Sequence, residues 1–172
     1  ASLLRSDTET LLLGQEASST ITHILTAENA SQFDIHAHTL HHASDTVSNI
    51  YALGTGGGTS RTVYRAAVDI KSGIKNVQGA QEGKFLILSD TAEVDAIPIL
   101  DIASNEVTST HKLSVSHIRD TDLFYAKSRG LSNNDARSLI LEGFFGALFE
   151  KLGKQDLMEE LAKRLTRLVV KN

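Results

Sequence analysis

Cysteine and tryptophan are absent from this sequence of 172 residues, and proline and methionine occur once each. Without cysteine the chain forms no disulfide, offers no thiolate to a metal and has no thiol nucleophile. A cytoplasmic setting is the natural expectation for such a chain. Aromatic residues make up 5% of the sequence, so its core must be built mainly from Ile, Val, Leu and Ala. With no Trp and three Tyr there is little to stack on a sugar ring, which argues against a carbohydrate substrate. No apolar run approaches the length of a membrane-spanning helix. Leu11-Leu12-Leu13 is too short for a secretion-signal core and has acidic neighbours. The net charge of −4 gives no reason to expect nucleic acid or an anionic membrane as partner.

What is present reads as short strands. Thr20–Leu25 is rich in β-branched residues, and Phe33–His38 alternates apolar with polar at every step. Val47–Leu53, Thr62–Ile70, Lys84–Leu88 and Ile97–Ile102 follow, separated by clusters of Gly, Asn, Asp and Ser. A last strand-like segment ends at Ile118. No helical period appears between these segments, so crossover helices are not expected. The region is all-β, as a sandwich, a barrel or a stacked solenoid, and composition does not choose among them.

The pattern changes after Ile118. Asp120 is expected to cap a helix that carries Leu123, Phe124 and Lys127. Gly130 closes it, since glycine accepts a positive φ freely. Ser132 opens a second helix with Asp135 as a capping-box partner. Ala136, Leu139, Ile140, Gly143, Phe144, Ala147 and Leu148 are expected to form its apolar face. From Lys151 to Asn172, four Lys and two Arg against one Asp and two Glu give +3. Leu157, Leu161, Leu165 and Leu168 form a stripe on this segment, which either packs on its own domain or docks a partner.

Val107, His111, Leu123-Phe124-Tyr125, Ser128-Arg129-Gly130-Leu131, Ala136 and Gly143-Phe144 resemble the C-terminal signature of the SufB/SufD family, the scaffold subunits of SUF iron–sulfur cluster assembly. The resemblance extends upstream through His42–Ser48, Arg61–Ile70 with Gly73-Ile74-Lys75, Gln81–Leu88, Ala92-Glu93-Val94-Asp95, Pro98 and Leu100, covering about residues 41 to 150. It implies a mainly β fold: a right-handed parallel β-helix over 1–118, followed by a helical segment over 119–172 as part of one structural unit. The family's usual N-terminal helical region has no counterpart, which suggests a short member or a core fragment. Where the family runs Ser-His-Gly-Ala-Thr, this chain has Thr110-His111-Lys112-Leu113-Ser114, and the cysteine of SufB-type members is missing. The likeness is therefore more to SufD.

The resemblance implies a non-enzymatic scaffold that holds no tight cofactor and sees at most a transient iron–sulfur cluster at an interface. Partners would be a second copy or a SufB-like subunit, and a SufC-like ATPase that carries the ATP hydrolysis. His111 is the candidate at the cluster or interface, because imidazole can ligate iron or shuttle a proton near neutrality. Its alternative role is a structural histidine at an oligomer seam. Tyr125, Arg129, Gly130 and Phe144 are the candidate partner contacts. Independently of the resemblance, alternation puts His36 and His38 on one face of a strand. His41 or His42 is then the candidate for a third metal ligand, as in a metal-dependent β-helix enzyme. Gly54-Thr55-Gly56-Gly57-Gly58-Thr59 has neither the following lysine nor the helix of a phosphate loop and is expected to be a turn. Ser116, His117 and Asp120 are triad residue types without a nucleophile elbow, and are taken as coincidence.

Overall fold

The structure, a computed structural model, describes residues 2–152, with side chains as far as residue 146. The amphipathic segment Lys154–Val170 and the side chains of Ala147 and Leu148 lie outside the described residues. Eight strands come first: β1 (Leu3–Leu12), β2 (Ser18–Ala27), β3 (Gln32–His41), β4 (Val47–Gly56), β5 (Arg61–Ile70), β6 (Val77–Ile87), β7 (Glu93–Ile102) and β8 (Val107–His117). Helices α1 (Asp120–Ser128) and α2 (Asn133–Leu152) follow. The chain divides into two compact units, the first ending at Ser116 and the second beginning at His117.

Odd-numbered strands form one sheet in the order β1-β3-β5-β7, and even-numbered strands form another in the order β2-β4-β6-β8. The pairings are parallel. Parallel neighbours two apart in sequence require a chain that visits the sheets alternately, one strand on each per turn. That arrangement is a β-solenoid, here of about 4 turns, and it decides among the three architectures left open by the strand pattern. In the first sheet the register runs from Leu3 to Gln32 to Arg61 in equal steps, and then by a longer step to Glu93. In the second it runs from Ser18 to Val47 to Gln78, and there too the later step is the longer.

The corners also stack. Glu16, Asp45 and Asn76 each stand two residues before those paired positions, and each has a positive φ of 62°, 60° and 53°. Asn and Asp visit this region more readily than most residues because their short polar side chains bond locally. Here Asp45 accepts from Gln15 Nε2 at 2.8 Å on one side and from Asn76 Nδ2 at 3.0 Å on the other, tying three turns together.

Alternation sends every second residue inward. Ile35, Ala37, Tyr64, Ala66, Val68 and Ile70 from one sheet meet Ile21, Ile50, Ala52 and Phe85 from the other in one core. Large side chains of one rung lean over the next, so the core holds glycine where a strand would ordinarily carry a side chain. A Cβ on Gly54 would come within 2.5 Å of the Phe85 ring. Hence the Gly-rich stretch after Leu53 contains the end of a strand, through Gly56, with a turn only beyond it, rather than a turn throughout. Glycines also conceal the start of β6: the strand begins at Val77 rather than near Lys84, with Gly79 and Gly83 on its inward face. Leu3–Leu12 is a strand that sequence reading passes over, because its inward positions include Ser6, Thr8 and Thr10. β7 starts at Glu93, ahead of the strand expected from Ile97.

In the second unit, α1 starts one residue earlier in register than its expected cap. Arg119, not Asp120, is the N-cap, and it makes no side-chain cap bond. Instead its guanidinium reaches Asp122 with bonds of 2.8 and 2.7 Å across the first turn. Gly130 ends the helix at φ 92°, with its N–H on the Lys127 carbonyl and that of Leu131 on Ala126. Ser132 opens α2 as expected, accepting from the Asp135 N–H at 3.1 Å. The apolar face of α2 is rotated from the expected one: Ala136, Leu141 and Phe145 are buried, whereas Leu139 is exposed.

Candidate functional site

β7 and β8 are the last strands of their sheets, and among the described residues no strand pairs beyond them. β8 lies against β6. Ser109 Oγ donates to the Gly79 carbonyl at 3.1 Å, and Leu113 occupies the space that a side chain on Gly83 would need. These two contacts share one register. His111 lies midway between Ser109 and Leu113 on the same face of the strand. The same register sets it opposite Gln81, on the column that earlier rungs fill with the core residues Ile21 and Ile50. His111 itself is exposed.

Gln81 is 1% exposed. Its Nε2 donates to the Ile99 carbonyl of β7 at 2.9 Å, a bond that bridges the two sheets. Its Oε1 is buried and has no hydrogen-bond partner among the described residues. The edge beside it is apolar on the outside, where Ile97 and Ile99 of β7 stand about 40% exposed. Gln81 was not singled out from sequence as a site residue. The signal was available: counting back by two from Phe85 gives 83, 81, 79 and 77, and Gln81 is the one polar side chain on that inward column.

The four neighbouring histidines do not converge. His36 and His38 do share the outer face of β3, their rings stacked with centroids 5.7 Å apart. Each faces a carboxylate of β1, with His36 Nδ1 3.7 Å from Asp7 Oδ1 and His38 Nδ1 3.6 Å from Glu9 Oε2. Nearby, Arg65 pairs with Asp34. His41 points the other way, into the core, because it is an odd number of residues along the strand from both. It is fully buried, with Thr46 Oγ1 2.7 Å from Nδ1 and Ser48 Oγ 2.8 Å from Nε2. Both nitrogens are thus occupied, and His41 does not serve as the third ligand. His42 is exposed at the turn. Among the described residues no group of three or more His, Cys, Asp or Glu is arranged to hold a metal ion.

Burial sets the protonation of the interior histidines. Desolvation holds the His41 imidazole below its ordinary pKa, so it stays neutral and can donate from one nitrogen while accepting at the other. His23 is lowered by the same cause and lies 3.2 Å from the Tyr64 hydroxyl, whose own pKa is raised by burial. Ordinary acid–base chemistry near neutrality is thereby unavailable to Tyr64.

At the helical corner, Tyr125 and Arg129 are each other's partners. Arg129 Nη2 donates to the Tyr125 hydroxyl at 3.3 Å, and its guanidinium carbon lies 5.3 Å from the ring centroid. Phe124 and Tyr125 are exposed. Phe144 is half-buried, its ring edge-on to Phe145 at 5.5 Å.

Comparison with known proteins places this geometry. The family model described as SUF system FeS cluster assembly, SufBD core domain, matches residues 1–144. The chain belongs to the SufBD family. Its relatives include an iron–sulfur cluster assembly SufBD family protein of Mycobacterium leprae, 30% identical over 158 residues, which is 92% of this chain and 18% of that protein. A protein of the same description from Mycobacterium tuberculosis is 30% identical over the same share. One from Staphylococcus aureus is 27% identical over 159 residues, 92% of this chain and 33% of that protein. The chain thus spans between 18% and 33% of the length of these SufBD relatives. The match takes in the whole β-solenoid, α1 and the first part of α2.

Proposed function

We propose that this SufBD chain is a scaffold protomer, closer to SufD than to SufB, that performs no catalysis of its own. The observation that carries this reading is His111 on an open edge strand, beside a buried column and an apolar rim. Main-chain groups on such an edge are free to pair with another strand. A second protomer, either another copy or a SufB-like subunit, covers β7 and β8 and continues both sheets. Iron is cargo here rather than a resident cofactor. His111 offers it an imidazole at the seam, and the thiolates that iron–sulfur clusters ordinarily require come from the partner or the sulfide donor, since this sequence has no cysteine.

A SufC-like ATPase docks on the C-terminal helical segment through Tyr125, Arg129, Gly130 and Phe144. The exposure of Phe124 and Tyr125 supports a docking role, because large apolar side chains left in water gain most from being covered. Movement of the ATPase pair then works the seam open and closed around the cluster. The setting is the cytoplasm. Light scattering coupled to size exclusion tests the reading, on the chain alone and mixed with SufB-like and SufC-like proteins. A dimer that recruits the ATPase is the expected result; a monomer that ignores both partners overturns it.

A further inference from the structure

Buried polar atoms in folded proteins are almost always paired, and an orphan asks for an explanation. Gln81 presents one. Its amide nitrogen is fixed on the Ile99 carbonyl, so the amide cannot rotate to exchange its two ends without losing that bond. The remaining atom, Oε1, is an acceptor with no donor among the described residues. The next side chain along the same column, one strand further out, is His111, which is exposed and on β8. An imidazole is the kind of group that can satisfy this acceptor, since one ring nitrogen donates while the other keeps its lone pair.

We propose that Gln81 is a positioning residue for His111. When the edge of β8 is covered, an N–H of the His111 ring turns inward onto Gln81 Oε1. The bond fixes one tautomer and aims the other nitrogen, with its lone pair, out of the rung. This is the device by which an outer carbonyl orients a metal-binding imidazole and raises its basicity. The sheet-bridging bond to Ile99 makes the device rigid, because it ties the amide to β7 as well as to β6. The proposal rests on the scaffold reading for the meaning of His111, but the hydrogen bond itself can be tested apart from that reading.

The experiment uses chain labelled with 15N-histidine, assembled with its scaffold partner, and reads the tautomer of His111 from its ring-nitrogen shifts. Cluster formation from ferrous iron and sulfide is followed by visible absorption in the same samples. In the unaltered chain His111 is expected as a single tautomer. Gln81→Leu releases the ring to the mixture of a free imidazole and lowers cluster yield about ten-fold or more, with assembly unchanged. A free-imidazole mixture in the unaltered chain overturns the proposal, and needs no variant to fold. So does a Gln81→Leu protein that keeps both the single tautomer and the full yield. His111→Ala separates the two readings: full cluster yield in that variant, with the tautomer fixed in the unaltered chain, removes the scaffold role of His111 and leaves the Gln81 bond standing.

Discussion

Gly54 stands against Phe85 so closely that a Cβ on the glycine would meet the ring at 2.5 Å. The contact joins neighbouring rungs of one sheet and fills the space between the two sheets. Gly54→Ala must push the ring aside in a packed core, and should cost about 1–3 kcal/mol in urea unfolding. Gly14→Ala, with nothing within 4 Å, is the control and should leave the midpoint unchanged.

The burial of His41 makes stability depend on pH. Burial lowers its pKa, as it does for His23, so below about pH 6.5 the unfolded chain binds protons that the folded chain refuses. Stability should be full above that pH and fall as pH falls through it. Urea midpoints at pH 8 and pH 5.5 measure the difference. Thr46→Val leaves one His41 nitrogen without its hydroxyl and should cost about 1–3 kcal/mol at pH 8.

Asp45 links three turns, and its bonds to Asn76 and Gln15 hold its carboxyl below the usual range. Its contribution is present above the ordinary carboxylate pKa and lost as pH falls through the lowered one. Asp45→Ala should lower the melting temperature at neutral pH, through the lost bonds and because alanine dislikes φ 60°. Asp45→Asn should lie between the two, since it tolerates that φ and keeps one acceptor.

If β7 and β8 form the seam, charge on the apolar rim should prevent assembly without unfolding the chain. Ile97→Lys with Ile99→Lys places two cations on an edge strand, where lysine discourages strand addition. Light scattering should find a monomer whose circular dichroism matches that of the unaltered chain.

The outer-face histidines should not hold metal. His36→Ala with His38→Ala is expected to leave the metal content of the purified protein unchanged, measured by plasma mass spectrometry. Loss of bound zinc or iron in that variant would revive the enzyme reading.

Most of the strands announced themselves through β-branched runs and alternation, as in Phe33–His38, and the edge strand carrying His111 did so through its end at Ile118. β1 did not, because Ser6, Thr8 and Thr10 face inward on the first rung, where burial is incomplete and polar side chains cost little. The start of β6 was hidden by Gly79 and Gly83, which make room for Val68 of the other sheet and Leu113 of the next rung and so have a purpose only in the stacked fold. Strand type was therefore legible locally, whereas stacking was not: the steps from one rung to the next are unequal, which blurs any repeat, and only the family likeness pointed to a solenoid. His111 was visible as a motif residue. Its neighbour Gln81 was not, since a lone amide acquires meaning only when the strand beside it is known. The supposed histidine cluster failed for the same alternation that suggested it, which sends His36 and His38 outward and His41 inward.

A stack of rungs is close to one-dimensional, each stabilised chiefly by the two beside it. Its end rungs therefore fray first. The rung of β7 and β8 has a neighbour on one side only, so its amides should exchange with solvent fastest among the strands of the second half of the solenoid. Covering that edge would slow the exchange and order His111 in the same event. Assembly would then be what brings the site to its working geometry, and a lone protomer would hold a site that is only partly formed.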